Sequence, residues 1–293
     1  MISILIPCFD YNAYPLVSIL EKQALMLKID FEIICIDDGS FSSKNDLNQK
    51  INLLTNSKFI ELKKNIGRIN NRLLLAEKSQ YEWLIFIDVD TLPNEDNFLK
   101  NYIDQLNNGT LIIGGCTYKK PDNENFSLRY KFGKFREEIS SAIRNKNPYK
   151  YISSCNFMCK RDVLIDVLAS INTISYGNDY VFGSLIKKKE IDIKHIDNPV
   201  LIDNIDENQI FIKKTHHALD NLISSYNKKI IKKHSISILK AYIILDTLLM
   251  KNIFVKITDL FKNLLNRNLH CKDPNLFLFD LYRLNYLCKI KNA

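Results

Sequence analysis

Short apolar, β-branched runs alternate with longer amphipathic segments through the first 93 residues, and no other feature limits the fold as strongly. Ile2–Pro7, Phe31–Ile36, Lys58–Leu62 and Trp83–Ile87 have the length and residue types of buried strands. The segments between them, Tyr14–Leu27, Lys44–Leu54 and Ile66–Ser79, carry apolar residues at helical spacing. Parallel strands need crossovers of this length, so the repetition predicts a doubly wound α/β sheet. Ligands in such sheets bind where the loops converge at the carboxyl ends of the strands.

Beyond this core, Leu111–Gly115 reads as a further strand. Tyr118–Tyr151 is polar, aromatic and basic without a strand period, and predicts a long excursion with a helix near Phe132–Arg144, over the mouth of the site. Tyr151–Cys159 returns as a strand, Lys160–Ala169 and Asn178–Lys189 read as helices, and Ile191–Ile196 as a short closing strand. From Glu207 onward the pattern is helical, in three or four helices, with Pro274 in the first turn of the last. The expected organisation is an α/β domain over 1–206 and a helical extension over 207–293.

Charge separates the same two parts. Lys213–Ala293 holds 15 Lys/Arg against 5 Asp/Glu, a balance of +10, whereas the whole chain carries only +8. An anionic partner is implied, whether lipid headgroups, a phosphate-bearing acceptor or nucleic acid. Nucleic acid fits least, because Ile236–Leu249 and Leu276–Leu287 suit packing with Lys outward better than an aromatic groove. The longest apolar stretch, Ile236–Met250, is interrupted by Lys240 and Asp246 and falls short of the roughly 20 residues a membrane span needs. Met1 leads straight into Ile-Ser-Ile-Leu-Ile, which reads as a first strand rather than a signal peptide. The seven cysteines show no CxxC spacing and read as free thiols of a reducing, cytoplasmic compartment.

Acidic residues gather at the predicted strand ends. The first strand runs into Pro7-Cys8-Phe9-Asp10, the second into Asp37-Asp38-Gly39-Ser40 and the fourth into Asp88-Val89-Asp90. Crowded like charges do not stabilise a fold, so a bound cation is the simplest reason for them. In an extended segment Asp88 and Asp90 face the same way and can reach one Mg²⁺ or Mn²⁺ ion, although a solvated turn with an Asp cap has the same composition. Asp38 can accept hydrogen bonds from a ribose or base edge, while Ser40 can instead cap a helix. Arg68 and Arg72 lie four apart at a helix start, where positive charge is unfavourable unless an anion such as a diphosphate binds; a solvated basic face is the other reading. Asp179, after Gly177-Asn178, is either a helix cap or a general base. None of the five histidines makes a zinc pattern.

Together the stretches ISILIPCFDYN, FEIICIDDGS, NIGRINNR, WLIFIDVDTLP, SSCNFMCKRDVL and GNDYVFGSLIKK resemble glycosyltransferase family 2 over nearly all of residues 1–215. The resemblance implies a GT-A fold, a Rossmann-like mixed sheet that binds a nucleotide-sugar. The stretch from Asn198 to Thr215 is most similar to bacterial enzymes that build surface polysaccharides. By this likeness Pro7, Phe9 and Asp38 line the nucleotide, with Asp38 on the base, and Arg68 lies near the base or phosphates. Asp88 faces the ribose and metal side, Asp90 binds the metal, Asp179 is the catalytic base, and Asn156 marks the acceptor region. The implied chemistry is inverting transfer from a nucleotide-sugar, UDP by default, to a glycan or lipid-linked acceptor.

Three positions depart from the family pattern. Asp10 stands for the usual Asn and Asn178 for the usual Glu before the base, and Ile202 occupies the place of a metal-binding His, with Asp203 beside it as a substitute oxygen ligand. A catalytically impaired sugar-nucleotide-binding or scaffold protein of the same fold is the alternative these departures leave. A nucleotidyltransferase is disfavoured because the loop after the first strand holds neither Gly nor basic residues.

Overall fold

The four strands expected first, β1 (Ile2–Cys8), β2 (Phe31–Asp37), β3 (Ser57–Glu61) and β4 (Trp83–Ile87), run parallel in the order β3-β2-β1-β4. Ile2, Ile4, Leu5, Ile33, Ile36, Leu84 and Phe86 are shielded from solvent, as strands covered on both faces require. Each such side chain contributes about 1.5–3 kcal/mol relative to exposure. The computed structural model describes residues 1–171, 179–231 and 236–290. Helix α1 (Tyr14–Leu27) starts with Pro15 in its first turn and stops at Lys28, whose left-handed backbone lets its N–H bond to Leu25 O. The expected Lys44–Leu54 helix is split into α2 (Asn45–Asn48) and a 3₁₀ turn over Gln49–Leu53. There Asn48 turns inward, its Oδ1 accepting from Ala13 N and its Nδ2 donating to Tyr11 O. Helix α3 (Arg68–Lys78) follows Gly67.

After β4 come β5 (Leu92–Pro93), α4 (Phe98–Ile103), β6 (Leu111–Ile113), β7 (Cys116–Tyr118), α5 (Ser127–Phe132), α6 (Ser141–Arg144), β8 (Asn156–Lys160) and α7 (Arg161–Ala169). Then follow α8 (Asp179–Lys188), β9 (Ile193–His195) and β10 (Val200–Ile202). Antiparallel β8 lies between β4 and β6, and β9 closes a seven-stranded sheet in the order β3-β2-β1-β4-β8-β6-β9. A second sheet, β5-β10-β7, was not legible because its strands are only two or three residues long. The mixed sheet with flanking helices is the α/β fold expected.

The chain divides into two compact units: 1–119 with 138–174 and 186–204, and 120–137 with 175–185 and 205–293. The helix expected near Phe132–Arg144 is broken. A π-helical turn over Gly133–Glu137 ends α5, and α6 starts afresh where Asp197 accepts from both the Ser141 N–H and the Ser141 hydroxyl.

In the first unit α6 and the segment after it brace β9. His195 is buried, with Nδ1 3.0 Å from Arg144 and Nε2 2.9 Å from the Pro148 carbonyl. Arginine can only donate and the carbonyl can only accept, so the proton sits on Nε2. Burial, reinforced by the Arg144 charge, holds the His195 pKa below its ordinary 6.5. A depressed folded pKa means that the stabilisation is full above the unfolded value and lost as pH falls through the folded one. Thermal stability is therefore expected to fall as pH is lowered below 6.5, and to fall less steeply in His195→Gln. Parallel slopes of melting temperature against pH would overturn this.

The second unit holds α9 (Asn208–Asn227), α10 (Ser237–Thr247), α11 (Lys251–Leu260), α12 (Lys262–Leu269) and α13 (Leu276–Lys289), more helices than the three or four expected. Leu128 of α5 packs with Ile212, Leu269 and Phe279. Phe132 and Phe211 lie 5.4 Å apart, with the Arg283 guanidinium 5.1 Å from the Phe279 ring. Pro274 is not in the first turn of α13. Asn275 caps that helix, its side chain accepting from Phe277 N at 2.8 Å, and Pro274 precedes the cap. His216 stacks on Tyr286 with ring centroids 3.9 Å apart.

Candidate functional site

The two aspartates at the end of β2 do different work. Asp37 is buried and closes its own turn, accepting from Ser40 N at 2.8 Å and Ser40 Oγ at 2.6 Å. Asp38 ties two loops together, accepting from Ile66 N at 2.7 Å and Gly67 N at 2.9 Å just before α3. Burial raises the Asp38 pKa above its ordinary value, against the pull of those two N–H groups. Gly39 permits the join: its φ is +66°, and a Cβ there would lie 2.4 Å from the Lys64 carbonyl carbon.

At the end of β1, Pro7 is half-buried and Phe9 is 55 % exposed, so its ring faces solvent. Asp10 adopts a left-handed φ of 49°, a conformation its short polar side chain tolerates. It accepts from Ser42 Oγ at 2.6 Å and Lys44 Nζ at 3.1 Å, and the Ser42 bond, then Lys44, hold its carboxyl below the usual range. Lys44 had not been singled out, since a lysine 34 residues away carries no local signal.

Asp88 follows β4 and donates its N–H to Cys155 O at 2.9 Å. Its carboxylate is gripped by two guanidinium groups, Arg68 through Oδ2 at 2.7 Å and Arg72 through Oδ1. Arg72 is 3 % exposed and its guanidinium lies 5.6 Å from the centre of the Phe86 ring. A buried arginine needs such a partner. The i, i+4 pair thus has a carboxylate of this chain to bind, and Asp88, expected on the metal side, has both oxygens engaged. Thr91 bonds back to Asp88 O through its N–H at 3.1 Å and its hydroxyl at 2.8 Å. That turn leaves Val89 half-buried and Asp90 exposed.

Asp90 and Asp203 act on one neighbour. Burial first, then the charges of Asp90 and Asp203, raise the pKa of the Tyr11 phenol, while a hydrogen bond with Asn204 opposes them. Tyr11 went unnoticed in the sequence because its role depends on β10 delivering Asp203. Lys119 Nζ pairs with Asp203 at 3.1 Å at the exposed rim. Among the described residues no three His, Cys, Asp or Glu side chains converge as a ready-made metal site. The donor chemistry nevertheless fits Mg²⁺ or Mn²⁺, which take a carboxylate or two and fill the remaining positions with diphosphate oxygens and water.

Asn156 is placed differently from its expected acceptor-side position. It is fully buried, accepts from Tyr102 Oη at 2.6 Å, and donates to Gly115 O at 2.9 Å and Asn198 O at 2.8 Å. Its amide joins β8 to the β6–β7 link rather than facing a ligand. Asn178 lies outside the described residues. Asp179 opens α8, and its side chain is likewise outside the description.

Comparison with known proteins follows the same outline. The model of the family described as Glycosyl transferase family 2 matches residues 3–168. Among solved structures, residues 1–349 of S. aureus TarS in complex with UDP-GlcNAc superpose with a TM-score of 0.52 at 14% identity, covering 76% of this chain and 66% of that one. A second structure of S. aureus TarS gives 0.51 at 16% identity, covering 76% of this chain and 39% of that one. This chain therefore spans just under two thirds of the first solved chain and a smaller part of the second. At such identities the likeness establishes the shared fold. No curated protein sequence matches.

Proposed function

Because the chain belongs to glycosyl transferase family 2, we propose that it moves a sugar from a nucleotide-sugar, a UDP-sugar by preference, to a hydroxyl of a glycan or lipid-linked acceptor. One observation carries the reading: Asp38 and the Asp88–Arg68–Arg72 cluster meet the start of α3 at the carboxyl ends of parallel strands, with exposed Asp90 beyond them. UDP-GlcNAc in the S. aureus TarS structure supports the choice of UDP. The proposed setting is bacterial surface polysaccharide synthesis, in the cytoplasm and peripheral to the inner face of the membrane. The basic C-terminal segment supports that setting, and among the described residues no helix is long and apolar enough to cross a membrane.

Each residue then has a task. Exposed Phe9 and Pro7 flank the base, and Asp38 reaches it with lone pairs left over from its two backbone bonds. Arg68, half-exposed, turns toward the donor phosphates while Arg72 keeps Asp88 oriented to the ribose side. Asp90, with Asp203 as a second oxygen ligand, would hold Mn²⁺ or Mg²⁺, which supplies charge neutralisation for the departing diphosphate. Asp179 takes the proton from the acceptor hydroxyl as that oxygen attacks the anomeric carbon, inverting it.

A panel of nucleotide-sugars tests this by binding and turnover with Mn²⁺ and with EDTA. Turnover is expected with the metal alone, and Asp179→Asn is expected to bind donor but not transfer. Undiminished transfer in EDTA or by Asp179→Asn overturns the respective role. Donor binding without turnover favours the impaired, scaffold-like alternative.

A further inference from the structure

The helices of the C-terminal segment have an apolar face that their packing does not use. Thr258 of α11 and Leu265 and Leu269 of α12 are buried. On another side of the same helices Ile253, Ile257, Leu260 and Leu264 are exposed, at steps of four, three and four residues. Ile253, Ile257 and Leu260 share one face of α11, and Leu264 continues the same step into α12 across the turn at Phe261. The row begins in the turn between α10 and α11, where Leu248 is exposed and Leu249 is 86% exposed. Leu249 has a left-handed φ of 56°, and Met250 N bonds to Leu245 O at 2.8 Å, closing the end of α10 in the way a glycine usually does. A leucine therefore stands, open to solvent, at a position where glycine carries less strain. Scattered exposed leucines need no explanation, but a continuous apolar row marks a contact surface.

Charge tells what the surface suits. Lys240, Lys256, Lys262 and Arg267 are exposed on the same three helices. The acidic groups nearby are matched, Asp246 by Lys251 at 2.6 Å and Asp259 by Lys289 at 2.5 Å. Among the described residues Lys240, Lys256 and Arg267 form no ion pair. A second copy of this chain seated on the row would bring like charges together, whereas an anionic bilayer would meet them with opposite charge. Long basic side chains can lay their stems along apolar surface and keep their charged ends among headgroups, the habit of a helix lying in a membrane interface.

We propose that the row Leu249, Ile253, Ile257, Leu260 and Leu264, with the exposed cations Lys240, Lys256 and Arg267 of the same helices, seats this protein on an anionic lipid bilayer. It names the surface for the peripheral-membrane part of the functional reading and does not depend on sugar transfer. Vesicle binding measured without donor or acceptor keeps the two readings separately testable.

The full chain is to be floated with phosphatidylcholine vesicles with and without phosphatidylglycerol. Binding is expected only with the anionic lipid. The double variant Ile257→Ser/Leu260→Ser should lower it by about tenfold or more. The triple variant Lys240→Gln/Lys256→Gln/Arg267→Gln should lower it by about fivefold per residue and reduce its salt sensitivity. All five side chains are exposed, so thermal melting of both variants is expected to match the parent. Equal binding to neutral and anionic vesicles, or parental binding by the apolar variant, overturns the proposal. So does a dimer, seen by sedimentation velocity, that dissociates in the apolar variant while vesicles fail to bind.

Discussion

Replacing Asp90 with alanine is expected to lower transfer by about 10²–10³-fold, the loss usual when a group that stabilises developing charge is removed. The size of the effect follows from the lack of a substitute. Asp88 lies two residues away, but Arg68 and Arg72 engage both of its oxygens, so it can take over only by loosening one of those pairs. Asp203 is left beside Tyr11, paired with Lys119 at the rim, and a single carboxylate holds a hard divalent ion poorly. Two measurements check this: kcat/KM at saturating Mn²⁺, and titration of Mn²⁺ into the protein with UDP present. Asp90 is exposed, so thermal stability should change little. A variant within threefold of the parent, with unchanged Mn²⁺ affinity, would remove Asp90 from the metal site.

The contrast between Asp88 and Asp90 also shows where sequence reading reaches its limit. Continuous apolar runs located β1 to β4, because strands covered on both faces are apolar throughout, and helical spacing located α3, which is long enough to show a period. The acids at their ends were visible for the same reason, since topology alone sends them to one edge. Which acid is engaged, and by what, depends on side chains brought together from distant segments. Arg72 meets Asp88 across 16 residues and Lys119 meets Asp203 across 84. Asn156 shows the reverse case. By the family likeness it looked available to an acceptor, yet three partners, from α4, the β6–β7 link and the segment before β10, take up its amide. Strands β5, β7 and β10 were missed because two or three residues carry no period at all.

Arg144→Ala is expected to destabilise the protein by about 3–5 kcal/mol, a large part of the 5–15 kcal/mol that holds a typical domain folded. The side chain is buried and serves as a common donor for several strand ends. Its Nε donates to Ile139 O at 2.8 Å, one terminal nitrogen to Ile113 O at 3.1 Å and His195 Nδ1 at 3.0 Å, and the other to Gly114 O at 3.1 Å and Ile196 O at 2.7 Å. Truncation leaves those acceptors without their donor, and each buried acceptor so stranded costs about 1–3 kcal/mol before the site relaxes. Burial lowers the Arg144 pKa from its ordinary value, but the group remains a cation at neutral pH, with Asp197 3.6 Å away at the surface. Gly115 makes the fit possible, because a Cβ there would lie 2.9 Å from the guanidinium. Lysine cannot reproduce the planar fork, so Arg144→Lys should recover less than half of the loss. Urea unfolding of the three proteins decides the matter, and a loss under about 1 kcal/mol in Arg144→Ala would show that water replaces the side chain at little cost. The damage should also reach the site. Arg144 holds the β6–β7 link, β7 pairs with β10, and β10 delivers Asp203, so Mn²⁺ affinity should weaken in Arg144→Ala at temperatures where it remains folded.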